Sequence, residues 1–275
     1  MTLKYKFISL CSLTLILFSA NSTATGPRVA PSLFVTDKNI MYAQEYAPFV
    51  SNANEQQGLL MELISSVLKA EGIAGTVNIL PTQSMVQYYF SQEMPLAIIS
   101  PDFKLSKAAN RKAIFIPVLG LDKYFYAYQK GETKVLDWAG KLKNLKGKTY
   151  GANKGEDVSA YKQAGINIKY ARTPALVKQL QQGKIDFIGM PEATFNDLNK
   201  QHSPEQVALF IKMTPKAGKI LMGITFNKNH PEGQQAAKTF KTGLKKLINS
   251  GQYQTILHHH LGADIAADKF IKRIQ

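Results

Sequence analysis

Two kinds of apolar spacing alternate along the chain. Short β-rich runs, such as residues 76–80 and 96–99, are separated by stretches in which apolar residues recur every three or four positions. The clearest such stretch begins at Gly58 and places Leu59, Leu63 and Val67 on one helix face. A shorter helical stretch runs from about residue 85 to 91, and a first strand is predicted within residues 32–41. Strands that alternate with amphipathic helices predict an α/β fold with a parallel or mixed sheet.

A second α/β series follows residue 131. Strands are predicted at residues 149–152, 166–170 and 184–190, with a helix opening after the first and another at Thr173. Residues 207–211 form one more candidate strand. The apolar runs at 112–117 and 124–128 precede this series, and the run at 219–227 follows it. We interpret these flanking runs as crossings between two lobes. Two tail helices, at 231–251 and 253–261, complete the pattern.

Several polar and aromatic residues follow predicted strands of the first series. Tyr46 and Phe49 come after the first strand, Gln83 after the second, and Ser100 and Asp102 after the third. Ligands of open α/β sheets bind beyond the carboxyl ends of the strands. These residues therefore predict one rim of a binding site.

Arg111 follows this rim closely in sequence. A guanidinium stays charged at any relevant pH and grips a carboxylate or phosphate with two parallel hydrogen bonds. A solvated surface arginine is the alternative on spacing alone. In the second series, Lys154, Gly155 and Glu156 stand at a strand–helix corner, where free backbone N–H groups can meet an anion. Glu192 lies at the carboxyl end of a later strand.

The first 24 residues have the pattern of a cleaved secretory signal. Lys4 and Lys6 precede an apolar run at 7–18 that is too short to span a bilayer, and small residues follow at 22–24. We therefore expect a soluble periplasmic protein. The single cysteine, Cys11, falls in the signal, so disulfides and thiol chemistry are excluded from the mature chain. The net charge of +15, which becomes +13 without Lys4 and Lys6, favours anions without selecting one.

Other chemistries find little support in the residue pattern. No Ser-His-Asp or Cys-His set is present, and no basic motif with interleaved aromatic residues points to nucleic acid. The three consecutive histidines at 258–260 point to different sides of one helix, so we predict an exposed helix face there and no metal site. We expect no cofactor.

Five short motifs occur in the order typical of one protein family. They are Tyr46-Ala47-Pro48-Phe49 with Gly58 and Glu62-Leu63; Arg111 to Phe115; Leu145 to Lys148 with Gly151 and Gly155; Leu180, Gly183 and Ile185-Asp186; and Ser250 to Ile256. In these motifs the chain resembles the bacterial periplasmic solute-binding proteins of the polar amino-acid type. The resemblance covers nearly all of the mature chain.

The resemblance implies the type II periplasmic binding protein fold, an α/β clamshell of two lobes joined by two crossover strands. We expect residues 25–126 and 224–275 to form lobe 1 and residues 127–223 to form lobe 2. A ligand would lie between the lobes. Arg111 would pair with its carboxylate, Tyr46 and Phe49 would wall the pocket, and Ser100 would supply a polar contact. Lys154, Gly155 and Glu156 would face the ligand from lobe 2.

The chain departs from the family pattern where an amino group would bind. Ala43 stands where an acid is common, Leu96 replaces an Asp of the first lobe, and Pro191 replaces another expected Asp. These departures argue against a standard α-amino acid. Glu192 or Glu156 is the candidate partner if the ligand carries an ammonium group.

The sequence therefore predicts a monomeric periplasmic binding protein that captures a small polar, carboxylate-bearing ligand for an ABC-type permease. One alternative is a clamshell enzyme such as a dehydratase, with Glu192 or Glu156 as the general acid. Another is a ligand sensor for a membrane signalling protein. We predict that the chain is not an enzyme.

Overall fold

The computed structural model describes residues 39–53, 57–92, 94–101, 112–129, 136–263 and 266–274, all within one compact unit, 37–275. The predicted signal peptide at 1–24 lies outside them. The strands are β1 (Ile40–Gln44), β2 (Thr76–Leu80), β3 (Ala97–Pro101), β4 (Ala113–Tyr128), β5 (Thr149–Ala152), β6 (Asn167–Tyr170), β7 (Phe187–Pro191) and β8 (Phe210–Asn227). Among the described helices, none is both long and apolar enough to cross a membrane.

The helices alternate with the strands, as the sequence predicts. They are α1 (Leu59–Ala70), α2 (Gln83–Gln92), α3 (Ser159–Gln163), α4 (Thr173–Gln181), α5 (Glu192–Leu198), α6 (Pro204–Ala208), α7 (Gly233–Asn249), α8 (Gln252–Leu261) and α9 (Ala267–Ile274). Short 3₁₀ turns lie at Leu142–Leu145 and Asn199–Gln201. In α1, the apolar residues Leu59, Leu63, Ile64 and Val67 are all buried. The apolar spacing that follows Gly58 therefore belongs to a helix with one face against the core.

One mixed sheet joins the eight described strands in the order β2-β1-β3-β8-β4-β7-β5-β6. β1 pairs in parallel with β2 and β3, and β5 pairs in parallel with β6 and β7. The long strands β4 and β8 run antiparallel between these two groups. We call β1–β3 with α1, α2 and α7–α9 the first half, and β5–β7 with α3–α6 the second half.

β4 and β8 differ from the separate runs that the sequence pattern suggests. The predicted runs at 112–117 and 124–128 belong largely to one strand of 16 residues. The run at 219–227 belongs to one of 18 that also includes residues 210 and 211, whereas residues 207 and 208 of the predicted strand at 207–211 end helix α6. Pro117 and the charged pair Asp122-Lys123 interrupt the apolar pattern of β4 but not its pairing with β8. The ladder instead shifts register between Pro117 and Leu119 and between Lys123 and Phe125.

Separate apolar cores flank the long strands. One core contains buried residues of β1, β3, α1, α7 and α8, including Leu60, Ile99 and Phe240. Two others lie in the second half, one around Phe125 and one around Tyr126. Alternate residues of β4 thus serve opposite faces of the sheet. The lobe boundaries given above remain a proposal.

The C-terminal helix α9 has no counterpart in the sequence-based prediction, which ends its last helix at residue 261. It packs across β4, and a Cβ atom placed on Gly120 would lie 2.6 Å from the Cβ of Arg273. Gly120 therefore lets the helix approach the strand closely. Arg273 Nη2 donates to Asp122 Oδ2 on β4 at 2.5 Å.

Candidate functional site

A cleft of about 500 Å³ lies beside the crossing strands. The first half contributes residues at the ends of β1 and β3 and at the start of α2, while the second half contributes the loop after β5 and part of β7. The lining residues are Gln44, Tyr46, Gln83, Pro101, Lys123, Asn153, Glu156, Asp157, Gly189, Lys219, Ile220, Leu221 and Arg273. Because both halves wall the cleft, a ligand there would contact both.

Parallel strands bring several of these residues together. Gln44 and Pro101 end the paired strands β1 and β3, and Asn153 directly follows β5. Carboxyl ends of parallel strands meet at one edge of a sheet, which explains why residues so far apart in sequence line one cleft. The site thus lies where the α/β alternation predicts a binding edge.

An ion pair between Lys123 and Glu156 spans the cleft wall. Lys123 Nζ lies 2.8 Å from Glu156 Oε1. The same carboxylate oxygen accepts a hydrogen bond from the Tyr150 hydroxyl at 2.7 Å, and Glu156 Oε2 accepts one from the Asn153 backbone N–H at 3.1 Å. The side chains of Lys123 and Glu156 are 14% and 21% exposed. Three donors therefore hold this carboxylate in a largely dry position.

Neighbouring residues fix the Lys123 side chain. Its Nζ atom lies 5.5 Å and 5.6 Å from the ring centroids of Tyr150 and Tyr161, and it also hydrogen-bonds the Tyr161 hydroxyl at 3.3 Å. Gly189 makes room for it, since a Cβ atom there would lie within 2.4 Å of Lys123 Cε. Cation–π attraction and the ion pair both favour the charged ammonium.

The surroundings change the acidity of these groups. Burial by itself lowers the pKa of Lys123, but attraction to Glu156 outweighs it, and the pKa ends above its ordinary value. Burial raises the pKa of Tyr150 well above the usual 10, and the Glu156 charge adds to this rise. Burial also raises the pKa of Tyr46 to about 12. At neutral pH Lys123 is therefore charged, and the phenols of Tyr46 and Tyr150 are neutral.

Gln44 offers an unsatisfied polar atom to the cleft. Its side chain is 7% exposed, and its Oε1 atom has no hydrogen-bond partner among the described residues. A buried amide oxygen without a partner costs about 1–3 kcal/mol of desolvation. A hydrogen-bond donor on a ligand would remove that cost, so Gln44 marks a point where a ligand can bind.

Gln83 and Gly155 bring the two halves into contact. Gln83 is the first residue of α2 and is buried, and a Cβ atom on Gly155 would lie 3.3 Å from its Oε1 atom. Gly155 has a φ of +95°, a conformation that L side chains rarely adopt. Glycine at this corner therefore serves both the turn and the close approach of α2.

The other residues predicted for the first half lie at different depths. Tyr46 lines the cleft, and its ring stacks on Phe49 at a centroid distance of 6.2 Å. Phe49 is fully buried in the first-half core. Ser100 is 1% exposed and donates from Oγ to the Pro101 carbonyl at 3.0 Å. Asp102 and Arg111 lie outside the described residues.

In the second half, the structure separates Glu192 from Glu156. Glu192 begins α5, pairs with Lys212 at 2.8 Å and lines a second cavity of about 420 Å³. Lys154 is exposed and is not part of the cleft lining. Of the two candidate ammonium partners, only Glu156 thus lines the cleft.

Gln44, Lys123 and Arg273 line the cleft but were not anticipated. Lys123 carries a sequence signal, because a lysine inside an otherwise apolar strand must find a partner when it is buried. Gln44 ends the observed strand β1 but lies beyond the predicted first strand at 32–41. Arg273 depends on the packing of α9, which no local pattern reveals.

A comparison of the sequence with models of protein families and with characterised proteins finds no match. Solved structures are similar in fold. The ligand-binding core of GluR0 from Nostoc punctiforme, in complex with L-glutamate, superimposes with a TM-score of 0.64 at 16% identity, covering 82% of this chain and 99% of that one.

Two further structures match equally well. The arginine-, lysine-, histidine-binding protein ArtJ from Geobacillus stearothermophilus gives a TM-score of 0.65 at 20% identity over 84% of this chain and 98% of its own. A histidine kinase sensor domain with similarity to periplasmic binding proteins gives 0.65 at 15% identity over 82% and 97%. The expected fold is confirmed: the chain has the mixed α/β architecture of the type II periplasmic binding proteins.

Proposed function

We propose that this chain is an exported solute-binding protein that holds a small polar, carboxylate-bearing metabolite in the cleft. The observation that carries the proposal is the cleft itself, which both halves line with polar side chains. Its volume of about 500 Å³ lies in the range of small-molecule sites. The structural relatives include amino-acid-binding proteins, which supports the ligand class by analogy of fold.

The charge of the lining favours an anion. Three cationic lining residues, Lys123, Lys219 and Arg273, outnumber two anionic ones, Glu156 and Asp157, with Lys123 paired to Glu156 and Arg273 paired to Asp122. The chain as a whole carries a net charge of +15, which raises the local concentration of anions. Arg111 remains our proposed partner for the ligand carboxylate.

The Lys123–Glu156 pair narrows the ligand class further. Glu156 is a candidate partner for a ligand ammonium, but a lysine of the same chain already pairs with its carboxylate at 2.8 Å. An ammonium group on the ligand would have to displace Lys123 or sit beside it, and like charges repel. We therefore propose a carboxylate ligand without an α-amino group, with Gln44 Oε1 accepting from a ligand hydroxyl or amide.

The ion pair and hydrogen bonds that Glu156 already makes argue against a catalytic role for this residue. A general acid needs a transferable proton and access to the reacting atom. Glu156 instead accepts hydrogen bonds from Lys123, Tyr150 and Asn153, and Glu192 lies at the other cavity. The reported structural relatives are likewise binding proteins or sensor domains.

We propose a periplasmic location and delivery to a membrane permease. A membrane sensor is the second candidate partner, and the match to a histidine kinase sensor domain is the observation that favours it. Hinge closure around a ligand serves both roles, because either partner can recognise the closed form.

The test is a calorimetric comparison of matched ligand pairs. Purified protein is titrated with acids that differ only in the ammonium group, such as glutarate and glutamate or succinate and aspartate, after a thermal-shift screen of a wider set. We expect saturable binding of a carboxylate and weaker binding of its amino counterpart.

Three variants sharpen this comparison. Arg111→Ala is expected to fold and to lose about 2–5 kcal/mol of binding free energy. Gln44→Ala is expected to weaken binding, whereas Lys200→Met, which lies outside the cleft, is expected to leave it unchanged. Undiminished binding by Arg111→Ala would remove Arg111 from the site. Binding of amino acids at least tenfold tighter than their counterparts would refute the ligand class, and turnover of any bound acid would refute the binding role.

A further inference from the structure

Two of the three consecutive histidines meet a carboxylate from another helix. His259 and His260 lie on α8, and Glu62 lies on α1. His260 Nε2 is 2.6 Å from Glu62 Oε2, and His259 Nδ1 is 3.9 Å from the same oxygen. The donor atoms of the three side chains all lie within 4.8 Å of one another. The helical pattern predicts that the histidines diverge, and it could not reveal the carboxylate that joins two of them.

We propose that Glu62, His259 and His260 bind a divalent transition-metal cation, with Zn²⁺ as the ion to be tested. Two imidazoles and one carboxylate are donors that Zn²⁺ accepts, with a remaining position for water. Imidazole nitrogens also select against Mg²⁺ and Ca²⁺, which prefer oxygen ligands.

The distances require only small movements. Ligand atoms about 2.0–2.2 Å from a tetrahedral zinc stand roughly 3.3–3.6 Å from one another. The two separations from Glu62 Oε2, 2.6 Å to His260 Nε2 and 3.9 Å to His259 Nδ1, lie on either side of that span. Without a metal ion, His260 Nε2 and Glu62 Oε2 are joined by a hydrogen bond. A metal ion placed between them replaces this hydrogen bond and moves the two atoms apart.

The exposure of the His259 side chain lets a metal ion reach the cluster from solvent. The His259 side chain is 57% exposed and can rotate towards the cluster, whereas His260 and Glu62 are 16% and 28% exposed and hold their places. The site therefore combines two partly buried ligands with one exposed ligand at the surface. It ties α8 to α1 within the first half, and none of its three residues lines the cleft.

Metal binding at this position stabilises the folded chain. The donors come from positions 62 and 260, which are brought together only by folding, so the ion binds the native state in preference to the unfolded one. A Tm that rises with Zn²⁺ concentration is the expected signature, and it needs no knowledge of the cleft ligand.

The experiment uses untagged protein stripped of metal with EDTA and dialysed. Titration with ZnCl₂ in a calorimeter is expected to give one site per chain, and MgCl₂ is expected to give no heat of binding. His259→Ala removes an exposed ligand, so its metal-free Tm is expected to match the wild type while its Zn²⁺ affinity falls by at least about 10–100-fold.

His258→Ala on the same helix is the matched control, because His258 does not belong to the cluster. It is expected to keep the wild-type affinity. Glu62→Gln keeps the shape of the side chain and is expected to lose affinity as His259→Ala does. Zn²⁺ affinity that is the same in wild type, His259→Ala and Glu62→Gln would overturn the proposal, as would the absence of any saturable Zn²⁺ binding.

Discussion

Replacing Lys123 by methionine tests whether the cleft ion pair stabilises the fold. Methionine keeps most of the length of the side chain and its apolar contacts with Tyr150 and Tyr161, but it removes the charge. Glu156 then keeps its hydrogen bonds from Tyr150 and Asn153 but loses Lys123, its cationic partner among the described residues. An uncompensated carboxylate in a partly dry site is costly.

The expected cost follows from the exposure of the pair. Removing one partner of a fully buried pair costs about 3–5 kcal/mol, while exposed pairs contribute at most about 1 kcal/mol. The side chains here are 14% and 21% exposed, so water reaches both of them. We expect a loss of about 2 kcal/mol for Lys123→Met, which includes about 0.5–1 kcal/mol from cation–π contacts.

Urea unfolding measures this loss without any ligand. Trp138, the single tryptophan, is buried against Phe125 in the second half and reports the transition by fluorescence. A change of midpoint at constant slope gives the free energy. Lys200→Met is the matched control, because Lys200 also pairs with an acid, Asp197, but is 73% exposed. Its effect is expected to stay within about 0.5 kcal/mol.

A double-mutant cycle with Glu156→Gln separates the pair from the other contacts of Lys123. We expect an interaction energy of at least about 1 kcal/mol between the two positions. An interaction energy below about 0.5 kcal/mol would show that the ion pair does not stabilise the fold. The proposal of a ligand without an α-amino group would then lose its support.

Three further perturbations have defined outcomes. Gly155→Ala and Gly147→Ala both place alanine at positive φ, at +95° and +78°, but only the alanine at position 155 would meet another side chain. Gly155→Ala should therefore lower the free energy of unfolding in urea by more than Gly147→Ala does. Equal losses would contradict the contact between Gly155 and Gln83. Arg273→Ala leaves Asp122 with one fewer partner and should lower the Tm by several degrees, whereas an unchanged Tm would show that α9 needs no such anchor. The raised pKa of Tyr46, about 12, means that the neutral phenol is favoured in the folded state, so its contribution to stability is complete below pH 10 and is lost between pH 10 and 12. Tyrosinate absorbance of wild type minus Tyr46→Phe should therefore titrate near pH 12, and a midpoint near 10 would refute the burial of this hydroxyl.

Local patterns were enough to predict the alternating elements. Strand β2 occupies Thr76–Leu80 as its β-rich run indicates, and α1 follows Gly58 with its apolar face buried. These elements depend on residues near in sequence, whose periodicity carries the signal. The continuity of β4 could not be predicted, because Asp122 and Lys123 break the apolar pattern and are accommodated only through Arg273 and Glu156, which are distant along the chain.

The candidate site was predictable to the same extent. Tyr46, Gln83 and Glu156 follow predicted strands and do line the cleft, although their roles in binding stay predictions. The occupation of Glu156 by Lys123 depends on a contact across 33 positions. A side chain's position relative to strand ends can be inferred from topology, whereas its partner depends on tertiary packing.

The shared ladder of β4 and β8 also limits how the two halves can move. Two strands that are hydrogen-bonded along most of their length form a strip that resists bending. Displacement of one half therefore stores elastic energy in this strip, and the half tends to return to its original position. The register shift beside Lys123 is a weak point where such a strip flexes most easily. Because Lys123 also pairs with Pro191 of β7, bending at that point would carry its ammonium along with Glu156, and the ion pair would persist in the open and the closed arrangement.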